Sequence, residues 1–133
     1  MAAINRKSRR YTDLDLIFSP QPYTKDISTL TNEDAVKAAV KNLVLTKNYE
    51  RPFHPEIGCQ VTSLLFENLD GPTLASIQYT IQNTLDKFEP RITVTDIVVS
   101  DQSDVNSIAV TITFLMNNNP NPITVTTLLD RLR

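Results

Sequence analysis

Glycine, tryptophan, cysteine and histidine are scarce in this chain of 133 residues: two glycines, no tryptophan, one cysteine and one histidine. Each shortage closes a class of function. A phosphate-cradling loop needs several glycines at fixed spacing, so Gly58 and Gly71 alone exclude nucleotide binding by the dinucleotide or P-loop route. Cys59 has no partner for an internal disulfide, and His54 leaves no second imidazole for a zinc site. Stapled extracellular scaffolds are therefore disfavoured, and neither a metal site nor a cofactor is expected. Long apolar runs are lacking too. After the first four residues none exceeds three positions, whereas a membrane-spanning helix needs about 20 and a signal core about 7–15. The chain is expected to be soluble and unprocessed, with no membrane partner.

What is present is an ordinary globular composition, 41% hydrophobic and 21% charged, at a length that suits one domain. The net charge of −2 conceals an uneven distribution. Arg6, Lys7, Arg9 and Arg10 place four of the thirteen cations in the first ten residues, leaving nine cations against fifteen acids, a body at −6. This divides the chain into a basic arm over 1–10 and a single domain over 11–133. The arm reads as a solvated terminus or as a strap for an acidic protein neighbour. Nucleic acid is the lesser reading, because no basic-aromatic interleaving recurs elsewhere.

Between residues 11 and 31, Leu14, Leu16 and Phe18 alternate with Asp13, Asp15 and Ile17, which predicts a short strand or extended arm closed by Pro20 and Pro22. Thr31 and Asp34 resemble a capping box, and Val36, Ala39, Val40, Leu43 and Val44 keep helical spacing, so a helix is predicted over 32–45. Residues 48–59 read as an ordered loop, and 61–68 as a short helical turn. Asp70-Gly71-Pro72 is a helix start, and Ile77, Ile81, Leu85 and Phe88 define a second amphipathic helix that must end before Pro90. The final third turns to β-branched alternation: one strand over 92–99 with a parity break near Asp96, one over 108–116, and a third over 123–129. Residues 101–106 and 117–122 are the expected turns. Helices followed by a run of strands predict an α+β fold, two main amphipathic helices packed on a small, mainly antiparallel C-terminal sheet.

Reactive constellations are thin. Cys59 with His54 as base is outweighed by Cys59 as a small buried hydrophobe. Glu56, Glu67 and Glu89 could supply the two carboxylates of a glycoside hydrolase, yet fifteen acids make such pairs common and no tryptophan is available to line a sugar cleft. No catalytic residue is assigned. Two segments have more specific shapes. In Arg51-Pro52-Phe53-His54-Pro55-Glu56-Ile57-Gly58, two prolines fix φ, Phe53 is an apolar anchor and Gly58 can end the excursion at positive φ, which builds a rigid loop. In Glu89-Pro90-Arg91-Ile92, a proline separates opposite charges at the junction of the second helix and the first strand. Glu89 and Arg91 either tie that joint internally or present a charged fork to a partner.

These two segments, with Leu65-Phe66-Glu67-Asn68-Leu69 between them, resemble the baseplate wedge and sheath-initiator family of contractile phage tails, which is related to type VI secretion baseplate subunits. The resemblance is densest over 51–92 and extends by strand pattern to the C-terminus. It implies a small α+β structural protein of the virion, assembled in the host cytoplasm, that joins the wedge core and gives the first ring of tail sheath a template. It associates Glu89, Pro90 and Arg91 with docking on the helical core bundle of the wedge, and the C-terminal strands, marked by Thr111 and Thr113, with the tail sheath protein through β-augmentation. Some members of that family have carried a lysozyme label. The alternative is therefore a peptidoglycan hydrolase with Glu56 or Glu67 as general acid.

Overall fold

A computed structural model describes residues 11–131; the basic arm expected over 1–10 lies outside the described residues. The chain forms two compact units, one ending at Ala38 and the other beginning at Ala39. In the first, strands β1 (Thr12–Leu14) and β2 (Thr29–Thr31) pair antiparallel, with Asp13 opposite Leu30. The segment between them is closed by the Asp15 amide donating to the Ser28 carbonyl (3.0 Å) and by a bridge between Pro20 and Ile27. Helix α1 (Glu33–Leu45) starts here and continues into the second unit. Its start departs from the capping box: Thr31 is a strand residue, and Asn32, at φ 50°, precedes the helix and accepts the Val36 amide through its carbonyl (3.1 Å). Asparagine tolerates that left-handed conformation better than most residues.

In the second unit, α2 (Val61–Leu64) packs against α3 (Gly71–Phe88), and α3 packs on the sheet. Both ends of α3 follow local chemistry. The Asp70 carboxylate accepts the Thr73 amide (3.0 Å), Pro72 sits in the first turn, and the Glu89 amide closes the last turn on the Leu85 carbonyl (2.9 Å). Ile77, Ile81 and Leu85 are fully buried along one face, as are Val36 and Val40 of α1.

The sheet runs β3-β4-β5, all antiparallel: β3 Ile92–Gln102, β4 Ser107–Met116 and β5 Asn119–Asp130. The fold is α+β, as the sequence pattern predicts. The parity break falls as a bulge between Val94 and Asp96, which restores Ile97 to the core face after Ile92. Ile108, Val110, Ile112 and Phe114 of β4 are all buried. Two turns are tighter than expected. β3 runs on to Gln102 and a single 3₁₀ turn, Ser103–Val105, leads into β4. β5 begins at Asn119, so Pro120 and Pro122 lie inside a strand. They are tolerated because β5 is an edge, where an outward N–H has no bond to make.

The direction of the main chain follows from single bonds. The Arg131 amide donates to the Asn106 carbonyl (3.0 Å), and polar groups alternate sides along a strand. Ile123, Val125, Thr127 and Leu129 therefore turn theirs to β4, and Thr124, Thr126 and Leu128 turn theirs outward. On β4 the same alternation aims Thr111 and Thr113 at β3, opposite Val98 and Asp96.

Candidate functional site

The helix–strand corner is held by its own charges. Arg91 grips Glu89 with both ends of its fork, Nε to Oε1 at 2.6 Å and Nη2 to Oε2 at 2.7 Å. The Glu89 side chain is only 7% exposed and that of Arg91 28%. The Asn117 amide donates to the Arg91 carbonyl (3.1 Å) and the Asn117 side chain to the Pro90 carbonyl (3.0 Å), so the β4–β5 turn braces the same corner. The pair forms an internal tie across the corner. Pro90 itself remains exposed on the outside of the bend.

The loop over 47–58 is closed at its neck. The Cys59 amide donates to the Thr46 carbonyl (2.8 Å), and Gly58, at φ 151°, lies so near that a Cβ would meet the Lys47 carbonyl at 2.7 Å and the Asn48 nitrogen at 2.8 Å. Within it, the Tyr49 amide reaches the Pro55 carbonyl (2.9 Å) and the Lys47 amide the Glu50 carboxylate (2.8 Å). Arg51, Pro52, Phe53 and Pro55 are all exposed, Phe53 at 97%. The loop is an excursion pinned at its base, with its aromatic ring in solvent.

Thr111 and Thr113 do not lie on a rim. Their main-chain groups belong to the central strand and their hydroxyls meet Thr126 (3.2 Å) and Thr124 (3.5 Å) across to β5. Each rim of the sheet is bounded differently. On β3 the outward carbonyl of Ile97 accepts Gln78 Nε2 of α3 (2.8 Å). On β5, among the described residues, no strand pairs with the outward side. Residue reading missed Gln78 and the outward set on β5, although two prolines ahead of a β-branched run were a signal for an edge.

The reactive candidates are dispersed. Cys59 is buried, which pushes its thiol up, only partly offset by the Val61 amide and the Thr84 hydroxyl. His54 turns to Glu56 instead (3.2 Å). The Glu56 carboxyl is held below its ordinary value, first by its own backbone amide and then by His54. A general acid needs the opposite shift. Glu67 is exposed beside the α2 turn, where its carbonyl accepts Arg131 (3.1 Å). A groove of about 490 Å³ between α2 and α3 is lined by Gln60, Ser63, Leu64, Ala75, Ser76 and Tyr79, with no acid or imidazole among these. No group of three His, Cys, Asp or Glu residues able to hold a metal occurs among the described residues. Nor, among these, is any helix long and apolar enough to cross a membrane.

Fold and surfaces together define a small α+β protein whose ordered features are a braced corner, a pinned loop and a three-stranded sheet whose outer strands β3 and β5 pair with no further strand among the described residues. The sequence profile described as "Baseplate wedge protein gp25" matches residues 31–121. The chain is 30% identical over 123 residues to Baseplate wedge protein gp25 of Enterobacteria phage T4, covering 92% of this chain and 90% of the relative. The chain belongs to this baseplate wedge family of contractile tails, and it is a structural component of the tail baseplate of a virion. Solved structures share the fold. A candidate tail lysozyme from Geobacter sulfurreducens superposes with a TM-score of 0.71 at 18% identity, covering 76% of this chain and 92% of that one. A chain of the anti-feeding prophage baseplate gives 0.65 at 18% identity over 90% of this chain and 84% of that one, and one of the post-contraction pyocin R2 baseplate gives 0.56 at 14% over 90% and 98%.

Proposed function

We propose that this chain is a non-catalytic adaptor: it docks on the helical core of the baseplate wedge through the Glu89–Pro90–Arg91 corner and offers the outer rim of β5 to the tail sheath as a template strand. The observation that carries the reading is the inequality of the two sheet rims. An unpaired strand edge invites pairing with a foreign chain, and proteins that do not use such an edge cover it or blunt it with charges, prolines or bulges; on β5 the prolines are confined to its start, Pro120 and Pro122, and the run from Ile123 onward has none. Here the outward carbonyl of Ile97 on β3 is bonded by Gln78 of α3, whereas β5 turns Thr124, Thr126 and Leu128 outward with nothing paired to them among the described residues. Baseplate proteins are the natural partners, as the assemblies containing its structural relatives indicate.

Docking at the corner is supported by its stiffness. A bent segment already fixed by a two-pronged ion pair and by Asn117 loses little freedom on binding. The test is capture of purified wedge by the protein and by two variants, Arg91→Ala and Pro90→Glu, the second placing a carboxylate on the exposed outside of the bend. Both are expected to lose capture at least tenfold while near-ultraviolet circular dichroism reports a native fold. Undiminished capture by folded Pro90→Glu and Arg91→Ala would remove the docking claim. Glu56 lines a pocket of about 330 Å³, but its carboxyl is held below its ordinary value, the wrong direction for a general acid; a cell-wall assay in which Glu56→Gln or Glu67→Gln abolishes measured activity would revive the hydrolase reading.

A further inference from the structure

We infer that the pinned loop over 47–58 is a second, separate docking element, in which Phe53 and Arg51 enter an apolar pocket with a carboxylate on its rim, carried by a neighbouring baseplate protein. The inference rests on the baseplate role but not on docking at the Glu89–Arg91 corner.

Phe53 is 97% exposed and Tyr49 82%, on one short excursion. Both hold left-handed backbone, φ 69° and 67°, a conformation that bulky side chains seldom adopt. Strain of that kind persists only where the surroundings enforce it, and it concentrates at binding and switch sites. The enforcement here is visible: the two prolines, the Tyr49-to-Pro55 and Ile57-to-His54 bonds, and the neck at Gly58 that admits no side chain. A chain selected for its own stability alone would place a glycine or asparagine at 53, or a polar ring in place of a phenyl one. The phenyl group is instead held out at an energetic cost.

Charge identifies what lies across from it. Both acids of the loop are occupied internally, Glu50 by the Lys47 amide and Glu56 by His54. Arg51 is exposed and, among the described residues, meets no carboxylate. The loop therefore shows one unmatched cation and, two residues on, one exposed aromatic ring, and arginine and aromatic residues are both enriched at interfaces. An apolar pocket flanked by Asp or Glu complements both.

Two measurements on assembled tails test this. First, p-benzoylphenylalanine replaces Phe53 and intact tails are irradiated; the expected adduct joins position 53 to a single peptide of a different baseplate protein, with an Asp or Glu close by in that protein's sequence. An adduct confined to this chain, to a second copy of it or to nucleic acid overturns the inference, as does no protein adduct at all. Second, Phe53→Asn is expected to keep or raise the melting temperature of the purified chain, because asparagine accepts the left-handed φ, while its incorporation into tails falls at least tenfold; Arg51→Glu is expected to fall likewise. Wild-type incorporation of Phe53→Asn overturns the proposal. Because capture by isolated wedge reads the Pro90 corner and the adduct reads position 53, each reading can fail without the other.

Discussion

Arg91 and Glu89 stand two residues apart with a proline between them, and the bend at Pro90 lets one fork close on one carboxylate. Composition alone showed the charges but not their direction, because either group could equally have bonded the backbone or a foreign chain. What decided it was burial: a carboxylate with 7% of its side chain exposed must be paired. Truncating Arg91→Ala leaves that charge uncompensated, and about 3 kcal/mol is expected to be lost, the low end for breaking a buried pair because Arg91 is itself partly solvated. In a urea titration the midpoint should fall accordingly, and Arg91→Lys should fall part-way since an ammonium cannot grip both oxygens. The double variant Glu89→Ala/Arg91→Ala should recover part of the loss, as no lone charge remains. Gly58 is the second single residue on which much depends. Gly58→Ala would drive a methyl group to 2.7 Å from the Lys47 carbonyl at a φ that alanine resists, at a cost of about 2–3 kcal/mol. A thermal melt lower by several degrees checks it. That position was legible beforehand, since a glycine ending a proline-rich run has few other purposes.

Elements were readable in proportion to how local their signals are. The second helix was foreseen nearly to its ends because Asp70 caps it, Pro72 suits its first turn and Pro90 forbids its extension. Where tertiary context decides, reading failed: Thr31 looked like a cap but is taken by β2, and Pro120 and Pro122 looked like a turn but sit on an edge that needs no donor there. The cap makes a pH-dependent prediction. The Thr73 hydroxyl, and after it the Thr73 amide, hold the Asp70 carboxyl below its ordinary value of 3.8. A carboxyl depressed in the folded state stabilises it above the unfolded pKa and loses that contribution as pH falls through the folded one. Asp70→Ala should therefore melt below the parent at neutral pH, and the gap should narrow once the pH drops beneath 3.8, while Asp70→Asn, still able to accept the Thr73 amide, should stay close to the parent at neutral pH. Next to it, Gly71 is not at positive φ and has open space around its missing Cβ. Gly71→Ala should stabilise by about 0.5 kcal/mol by restricting the unfolded chain, raising the melting temperature by roughly 2 °C.

At the scale of the whole molecule, the sheet's two rims make the proposed templating role testable without unfolding the protein. Strand pattern alone placed three strands in order but could not say how the two rims differ, because that depends on Gln78, nineteen residues before Ile97, reaching its carbonyl. The parity set by Arg131 and Asn106 then separates two kinds of proline substitution. Thr126 turns its main chain outward, so Thr126→Pro removes a donor that no described neighbour uses, and edge strands accept proline in that orientation. Val125 turns inward opposite Ile112, so Val125→Pro removes a ladder bond and should cost about 3 kcal/mol or more. Thr111→Pro would do the same on the side of β3. The expectation is that Thr126→Pro folds, enters baseplates and fails to start sheath polymerisation when purified sheath subunits are added and the products are counted by electron microscopy. Thr126→Val, which keeps the donor but gives up the hydroxyl contact with Thr111, should start it normally. If sheath grows on Thr126→Pro baseplates as on the parent, the β5 rim is not the template, because a foreign strand pairing there would have to leave one of its own carbonyls unbonded.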